Sequence, residues 1–393
     1  MSARPNPLRT AFALALAAAV SLGLARFSYA LLLPPMRADL GWSYLTAGTM
    51  NTVNAAGYLA GALLMPRVLA RVDARRVMLA GGWLAAAALA LHGLAPGDAS
   101  LYALRFLAGL ASAASFVGGG LLAARLAADP QTGGRAGLVL GLYYGGTGLG
   151  IVACAVLLPP WLDAAGNMGW RGAWGLLAVG AGLANAMCAR GTRALSAPAP
   201  TAGTRGPAPL RPLAFGLAGY LCFGLGYIGY MTFIVTLLRE QGLGSGVITG
   251  FYALLGCGVV ASSWLWAGLL QRHRGGVPMA LLNGLLAVAT ALPVLSPHPV
   301  AVFASGALFG AVFLSVVAST TALVRHNLPP AAWASGISAF TIIFAAGQII
   351  GPSGVGLVAD GPGGLARGLL LSAVVLAVGA VLALGQRPVP ERP

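Results

Sequence analysis

Long apolar stretches recur along the whole chain and constrain its fold more than any other feature. Runs of around 20 residues, each followed by a short polar break, continue from near residue 10 to near residue 385. Such a run is long enough for an α-helix to cross the hydrocarbon core of a bilayer. Of the 393 residues, 58% are hydrophobic and 8% are charged. The runs are continuous and not alternating, so the sequence predicts an all-α polytopic membrane protein and not a β-barrel.

Twelve spans can be placed along the chain. They are expected at residues 10–33, 44–65, 77–95, 100–124, 136–158, 170–189, 213–238, 246–270, 277–295, 299–324, 333–358 and 365–385. The Pro- and Ala-rich stretch 190–212 between spans six and seven reads as a flexible cytoplasmic linker. It divides the chain into two predicted six-helix halves, 1–189 and 213–393.

The basic residues predict the orientation in the membrane. All 23 are arginines, and with the N-terminus placed inside, 17 fall in inside segments, 4 in outside segments and 2 within spans. Positive charge accumulates on the cytoplasmic side of membrane proteins. The formal net charge of +15 therefore reflects topology and not nucleic-acid binding. The Ala- and Gly-rich, lysine-free composition suggests a bacterium, so the predicted location is its cytoplasmic (inner) membrane with both termini inside.

The two halves align with each other at an offset near 200 residues. Gly23–Pro34 lines up with Gly224–Val235, which places Arg26 opposite Tyr227 and Tyr29 opposite Tyr230. Several other spans align at the same offset. A parallel repeat of six spans is typical of transporters, whose binding site lies near the membrane midplane between the halves.

Twelve spans in two repeats, with a basic loop after the second span, resemble the major facilitator superfamily over essentially the whole chain. The stretches RFSYALLLPPMRADLGWS and NTVNAAGYLAGALL resemble the bacterial YbfB/YjiJ-type branch of that superfamily. The span-four pattern of the superfamily is intact as Arg105, Gly109 and Ala113. The loop pattern that gates the superfamily is degenerate at Pro66–Val77. The resemblance implies a gating role for the loop residues Arg71, Asp73, Arg75 and Arg76.

Two arginines within the spans are the first candidates for binding a substrate. The resemblance implies that spans one, four, seven and ten line a central cavity, which puts Arg26, Arg105, Tyr227 and Ser305 on cavity helices. All eight acidic residues lie in loops or at span ends. An isolated charge is costly at membrane depth, so each guanidinium group needs water, carbonyl groups or an anionic ligand. The alternatives are a long side chain that reaches the interface, or a structural role for Arg105.

Other polar side chains share faces with these arginines. Tyr29 follows Arg26 by three residues and Tyr230 follows Tyr227 by three, so each pair shares a helical face. These tyrosines either contact a ligand or belong to an aromatic belt. Asn51 and Asn54 form a polar stripe on span two, for substrate contact or for hydrogen bonds between helices.

These features predict a transporter of a small organic anion, such as a carboxylate, that works by alternating access as a secondary active or facilitative carrier. The alternatives are a multidrug or metabolite exporter of the same fold and a non-transporting membrane sensor. The four histidines form no metal-ligand set and no catalytic constellation can be assembled, so neither an enzyme nor a cofactor is expected. The expected partners are the lipid bilayer and an anionic small molecule, with a proton as co-substrate left open. A monomer is expected.

Overall fold

The computed structural model describes residues 6–132, 135–166, 168–195 and 208–389, and every regular element within them is a helix. The all-α prediction is confirmed for these residues. Most of the predicted linker, residues 196–207, lies outside them. The α-helices in chain order are α1 (Pro7–Ala18), α2 (Tyr29–Leu40), α3 (Tyr44–Leu69), α4 (Ala74–His92), α5 (Asp98–Ala128), α6 (Ala136–Ala165), α7 (Gly169–Gly191), α8 (Ala214–Glu240), α9 (Ser245–Leu265), α10 (Ala267–Arg272), α11 (Val277–Leu295), α12 (Pro299–Asn327), α13 (Trp333–Ala359) and α14 (Gly364–Leu384).

Eleven helical segments of the described chain are long and apolar enough to cross a membrane. α1 and α2 belong to one of them, Pro7–Leu40, and α9 and α10 belong to another, Ser245–Arg272. The predicted second span corresponds to α3, which is not among the eleven. Its 26 residues would reach ~39 Å at ~1.5 Å per residue, which is long enough to span a bilayer. Two asparagines and three threonines lower its mean hydropathy.

The first span is not an unbroken α-helix. Between α1 and α2, residues Ala19–Phe27 form a π-helix of nine residues, all of them buried. The main-chain nitrogen of Ser28 bonds to the carbonyl oxygen of Gly23, five residues earlier, at 3.1 Å. The sequence predicts one span over residues 10–33 and does not indicate this π segment. π-helical turns are rare and occur often at functional sites.

Glycines allow the π segment to pack closely against α6. A Cβ atom built on Gly23 would lie 2.6 Å from the Cα atom of Gly150. Both atoms belong to backbones, so neither can move aside as a flexible side chain would. Small residues of this kind let transmembrane helices approach each other closely.

The chain forms two compact units. Unit one comprises Met1–Gly41, Val53–Pro200 and Gly244–Val260, and unit two comprises Trp42–Thr52, Thr201–Leu243 and Ala261–Pro393. The start of α3 thus belongs to unit two, and most of α9 belongs to unit one. The predicted division into halves 1–189 and 213–393 stays a prediction.

Each unit packs its helices in a similar pattern. In unit one, α4 packs on α5 and α7, and α1 packs on α6. In unit two, α11 packs on α12 and α14, and α8 packs on α13. In terms of the predicted spans, the pairs three–four, three–six and one–five correspond to nine–ten, nine–twelve and seven–eleven. This correspondence supports the predicted six-span repeat.

Candidate functional site

Arg26 lies near the end of the π segment, within unit one. Its side chain is 4% exposed. The guanidinium carbon lies 5.4 Å from the ring centroid of Tyr58 on α3 and 5.9 Å from that of Phe27. Aromatic rings attract a cation through their negative faces, more strongly where water is excluded. The guanidinium group of Arg26 is therefore bordered by aromatic rings at membrane depth.

Arg105 on α5 is 1% exposed and contacts two other predicted site residues. Its guanidinium carbon lies 4.5 Å from the ring centroid of Tyr29, and its Nη1 donates to the carbonyl oxygen of Ala25 at 3.3 Å. The side-chain amide of Asn54 donates to the carbonyl oxygen of Arg105 at 3.0 Å. These contacts join the first span to α3 and α5. Of the two roles considered for Arg105, they fit the structural one.

Unit one buries His92 as well as the two arginines. His92 is fully buried, and its ring is stacked on Trp174 with the centroids 4.5 Å apart. Nδ1 of His92 lies 2.7 Å from the carbonyl oxygen of Ala88. Unit one thus concentrates positive charge among aromatic side chains around Arg26 and Arg105.

The tyrosines predicted on span seven lie in unit two. Tyr230 is fully buried, with its hydroxyl 2.6 Å from that of Ser305 and its ring stacked on Phe309. Tyr227 accepts a hydrogen bond from the side-chain amide of Gln348. The ring of Tyr227 is stacked in a row of aromatic side chains with Phe223, Phe313 and Phe344. We call these four residues the aromatic row.

The polar stripe predicted on span two divides between the units. Asn51 belongs to unit two, where its amide donates to the hydroxyl of Thr232 on α8 at 2.7 Å. Asn54 belongs to unit one, where it bonds to Arg105 as described above. Both asparagines therefore make hydrogen bonds between helices, one of the two roles predicted for them.

No group of three or more His, Cys, Asp or Glu side chains in the described part of the chain could hold a metal ion.

The chain also matches known proteins. The family profile described as "Uncharacterised MFS-type transporter YbfB" matches residues 18–384. The chain belongs to the major facilitator superfamily of membrane transporters. The resemblance predicted from the sequence is confirmed, and so is the expectation that the protein is not an enzyme.

The alignments with similar proteins extend over nearly the whole chain. The "Chloramphenicol resistance protein" of Streptomyces lividans is 31% identical over 383 residues, which are 91% of this chain and 93% of that protein. A bacterial homologue of the human lysosomal transporter Spinster has a TM-score of 0.75 at 15% identity, over 99% of this chain and 100% of that one. The nucleoside transporter NupG has a TM-score of 0.73 at 12% identity, over 96% and 99%. These structures confirm the fold.

The loop after span two of this facilitator makes local contacts within unit one. One carboxylate oxygen of Asp73 accepts from the main-chain nitrogens of Arg75 and Arg76, at 3.0 and 3.2 Å, and so caps α4. Nη2 of Arg75 donates to the carbonyl oxygen of Ala189 near the end of α7, at 2.7 Å. Arg71 and Arg76 are exposed. A gating role for these four residues stays a prediction.

At the predicted outer ends of the transporter's helices, acidic residues bond to the starts of other helices. In unit two, the carboxylate of Asp360 accepts from the main-chain nitrogens of Tyr44 and Leu45, at 2.7 and 2.9 Å. In unit one, the carboxylate of Asp163 accepts from the hydroxyl of Ser245 at 2.7 Å. We call these contacts the two outer caps. From the sequence, both acids are expected only as charges in loops or at span ends. They lie about 200 residues apart, near the offset of the predicted repeat.

Proposed function

We propose that this transporter moves a small organic anion by alternating access and that Arg26 binds the anionic group. The observation that supports this best is the buried pair Arg26 and Arg105 within unit one. A buried cation is costly in a low-dielectric medium, and a bound anion offsets that cost. A guanidinium group also matches a carboxylate with two parallel hydrogen bonds.

The contacts of the two arginines divide the roles between them. The guanidinium group of Arg105 lies against the ring of Tyr29 and the carbonyl oxygen of Ala25, so it holds helices together and adds positive charge. Arg26 is the more exposed of the two and has ring faces beside it. In this proposal Arg26 is therefore the residue that binds the anion, and Tyr29 positions Arg105.

Aromatic side chains favour an anion with an apolar or aromatic body. The rings of Tyr58 and Phe27 border the guanidinium group of Arg26 within unit one. Aromatic rings prefer to stack on one another at offset or edge-on geometries. Benzoate combines a carboxylate with such a ring and is the probe that we would use first.

A second candidate function is efflux of a neutral aromatic drug. It is favoured by the relative from Streptomyces lividans, which is named a chloramphenicol resistance protein. In this function the aromatic row would bind the drug and both arginines would be structural. Tyr227 would then contact the drug as part of the aromatic row. Tyr230, Asn51 and Asn54, which the sequence also predicts at the binding site, would support helix packing.

The two outer caps support alternating access. The carboxylate of Asp360 is favoured by the main-chain N–H groups at the start of α3, and both carboxylates are favoured by the positive end of a helix dipole. Each bond lies at an exposed position, so it can break and form again at modest cost. We infer that both caps form when the outer side of the transporter is closed and break when it opens.

The test is binding of benzoate, succinate, inorganic phosphate, chloramphenicol and tetraphenylphosphonium to the detergent-purified transporter, read as thermal stabilisation. A ligand at ~100 times its Kd adds ~2.7 kcal/mol to the free energy of unfolding. We expect benzoate to stabilise the wild-type protein and Arg26→Gln to abolish this effect. The matched control is Arg171→Gln, because Arg171 is a half-buried arginine of unit one that donates to the carbonyl groups of Gly93 and Ala95.

The control should bind benzoate like the wild type. Stabilisation by chloramphenicol that Arg26→Gln leaves unchanged, without any effect of benzoate, would replace the anion proposal with the drug-efflux one. If benzoate does stabilise the wild-type protein, uptake of radiolabelled benzoate into proteoliposomes would establish that the anion is transported.

A further inference from the structure

The main-chain ladder of the first span is interrupted where the π segment ends. In an unbroken α-helix the nitrogen of Leu31 would bond to the carbonyl oxygen of Phe27. It bonds instead to the carbonyl oxygen of Ser28, at 3.0 Å. The hydroxyl of Tyr252 donates to the carbonyl oxygen of Phe27, at 2.6 Å. A side chain of α9 thus bonds to the main chain of the first span at the end of the π segment.

Other carbonyl groups of the π segment also accept from side chains of neighbouring helices. The hydroxyl of Ser112 on α5 donates to Ser21 at 2.7 Å, and Nη1 of Arg105 donates to Ala25 at 3.3 Å. Tyr252 differs from these donors because it comes from α9, which follows the predicted linker in the chain. A buried carbonyl group that loses its donor is costly, so these side chains stabilise the π-helical arrangement over an α-helical one.

The arrangement of the π segment determines where Arg26 points. A π-type ring holds one more residue than an α-type ring, so conversion to α-helix would turn the following side chains by roughly one residue, ~100° about the axis. Arg26 immediately precedes Phe27, whose carbonyl oxygen Tyr252 holds. A turn of this size would move the guanidinium group away from the ring of Tyr58 on α3.

We propose that Tyr252 is a positioning residue for Arg26, because its hydroxyl holds the carbonyl group of Phe27 and thereby keeps residues 19–27 π-helical. As far as it concerns ligand binding, this proposal rests on the proposed function of Arg26. The effect of Tyr252 on the π segment does not depend on any ligand.

The same face of α9 carries one of the outer caps. Ser245, which bonds to Asp163, precedes Tyr252 by seven residues, or two helical turns. Separation of the start of α9 from the end of α6 and from the first span would therefore break both contacts together. The orientation of Arg26 is in this way coupled to the position of α9. When the outer side opens, the side chain of Arg26 would no longer be held in one orientation.

The test compares Tyr252→Phe with Tyr143→Phe. Tyr143 is also a fully buried tyrosine of unit one, and its hydroxyl donates to the carbonyl oxygen of Phe116 at 2.6 Å. Both variants lose the same kind of bond, but only the first concerns the π segment. Hydrogen–deuterium exchange of residues 19–32 should become at least about fivefold faster in Tyr252→Phe and stay at the wild-type rate in Tyr143→Phe.

Benzoate affinity provides a second readout through a double-mutant cycle. Tyr252→Phe should raise the Kd for benzoate about tenfold in the wild-type background and should have no effect in an Arg26→Lys background, which keeps a measurable affinity. Tyr143→Phe should leave the Kd unchanged. A structural role of Tyr252 alone would lower stability without this dependence on Arg26.

Wild-type exchange of residues 19–32 in Tyr252→Phe would overturn the proposal. If the wild-type protein binds no benzoate, the proposed anion function fails, and the exchange experiment still decides on Tyr252. If Tyr252→Phe does not fold, Asp163→Ala serves in its place. Release of the start of α9 by that variant should also accelerate exchange of residues 19–32, and an unchanged rate there would contradict the coupling.

Discussion

The carboxylate of Asp360, at the end of α13, caps the first turn of α3 by bonding to the main-chain nitrogens of Tyr44 and Leu45. The hydroxyl of Tyr44 also donates to Glu240 at the end of α8. Three helices of unit two therefore meet at this point, two of them through acidic residues. Because Asp360 lies at the end of α13, the start of α3 can move away from α13 only if these bonds break.

Replacing Asp360 with Asn should favour the state in which the start of α3 has left α13. The amide keeps one acceptor oxygen but loses the negative charge and the second acceptor, which together contribute ~1–2 kcal/mol. The expected shift in population is about fivefold to thirtyfold. Spin labels on Leu45→Cys and Gly361→Cys should report a larger fraction of long distances in the variant.

Asp39→Asn is the matched control for this measurement. Asp39 lies in another predicted outer segment and accepts from Nε1 of Trp170 at 2.9 Å, within unit one. Its replacement removes a carboxylate that does not cap α3, so the distance distribution should stay as in the wild type. Equal shifts in both variants would point to a general charge effect and contradict the role of the cap.

A methyl group at Gly23 should destabilise the protein strongly. The added Cβ would meet the backbone of Gly150 at 2.6 Å, and crowding of this kind costs about 1–3 kcal/mol. Gly175→Ala is the control, because a Cβ at Gly175 in α7 meets no atom within 4 Å. Thermal unfolding in detergent should show a lower melting temperature for Gly23→Ala only. Similar melting temperatures for both would mean that the π segment and α6 are not in such close contact.

The helices could be predicted from the sequence because hydropathy acts over a whole span. Each apolar run must satisfy its main-chain groups internally in lipid, and a helix is the way for a single segment to do so. Even α3, with its polar residues, was predicted as a span. The family resemblance was likewise carried by several stretches at once and is confirmed.

The π segment and the outer caps could not be predicted because they depend on single contacts between distant residues. The bond of Tyr252 to Phe27 joins positions 225 residues apart, and the bond of Asp360 to Tyr44 joins positions 316 apart. The residues around each position in the sequence do not indicate which distant residue it will contact. Candidate residues were predicted by type and depth, but Asn51 and Asn54 could not be assigned to different units because their neighbours come from other spans.

Replacing Arg105 with Lys should lower stability although the charge is kept. The lysine side chain has no planar guanidinium group to lie over Tyr29 while it donates to Ala25. Loss of a charged hydrogen bond at a buried position costs about 1.5–3 kcal/mol. We expect a clearly lower melting temperature than for Arg171→Lys, whose side chain is only half-buried. A wild-type melting temperature for Arg105→Lys would contradict the structural role of Arg105.

Replacing Arg26 with Lys should separate recognition of charge from recognition of shape. Lysine keeps the positive charge but offers a compact ammonium group in place of two parallel N–H donors. If Arg26 binds a carboxylate through both donors, Arg26→Lys should raise the Kd for benzoate about tenfold, whereas Arg26→Gln should abolish binding. Isothermal titration of the two variants beside Arg171→Lys would measure this. Equal affinities for Arg26→Lys and the wild type would mean that charge alone attracts the anion, and loss of binding in Arg171→Lys as well would show that the site does not depend on Arg26 specifically.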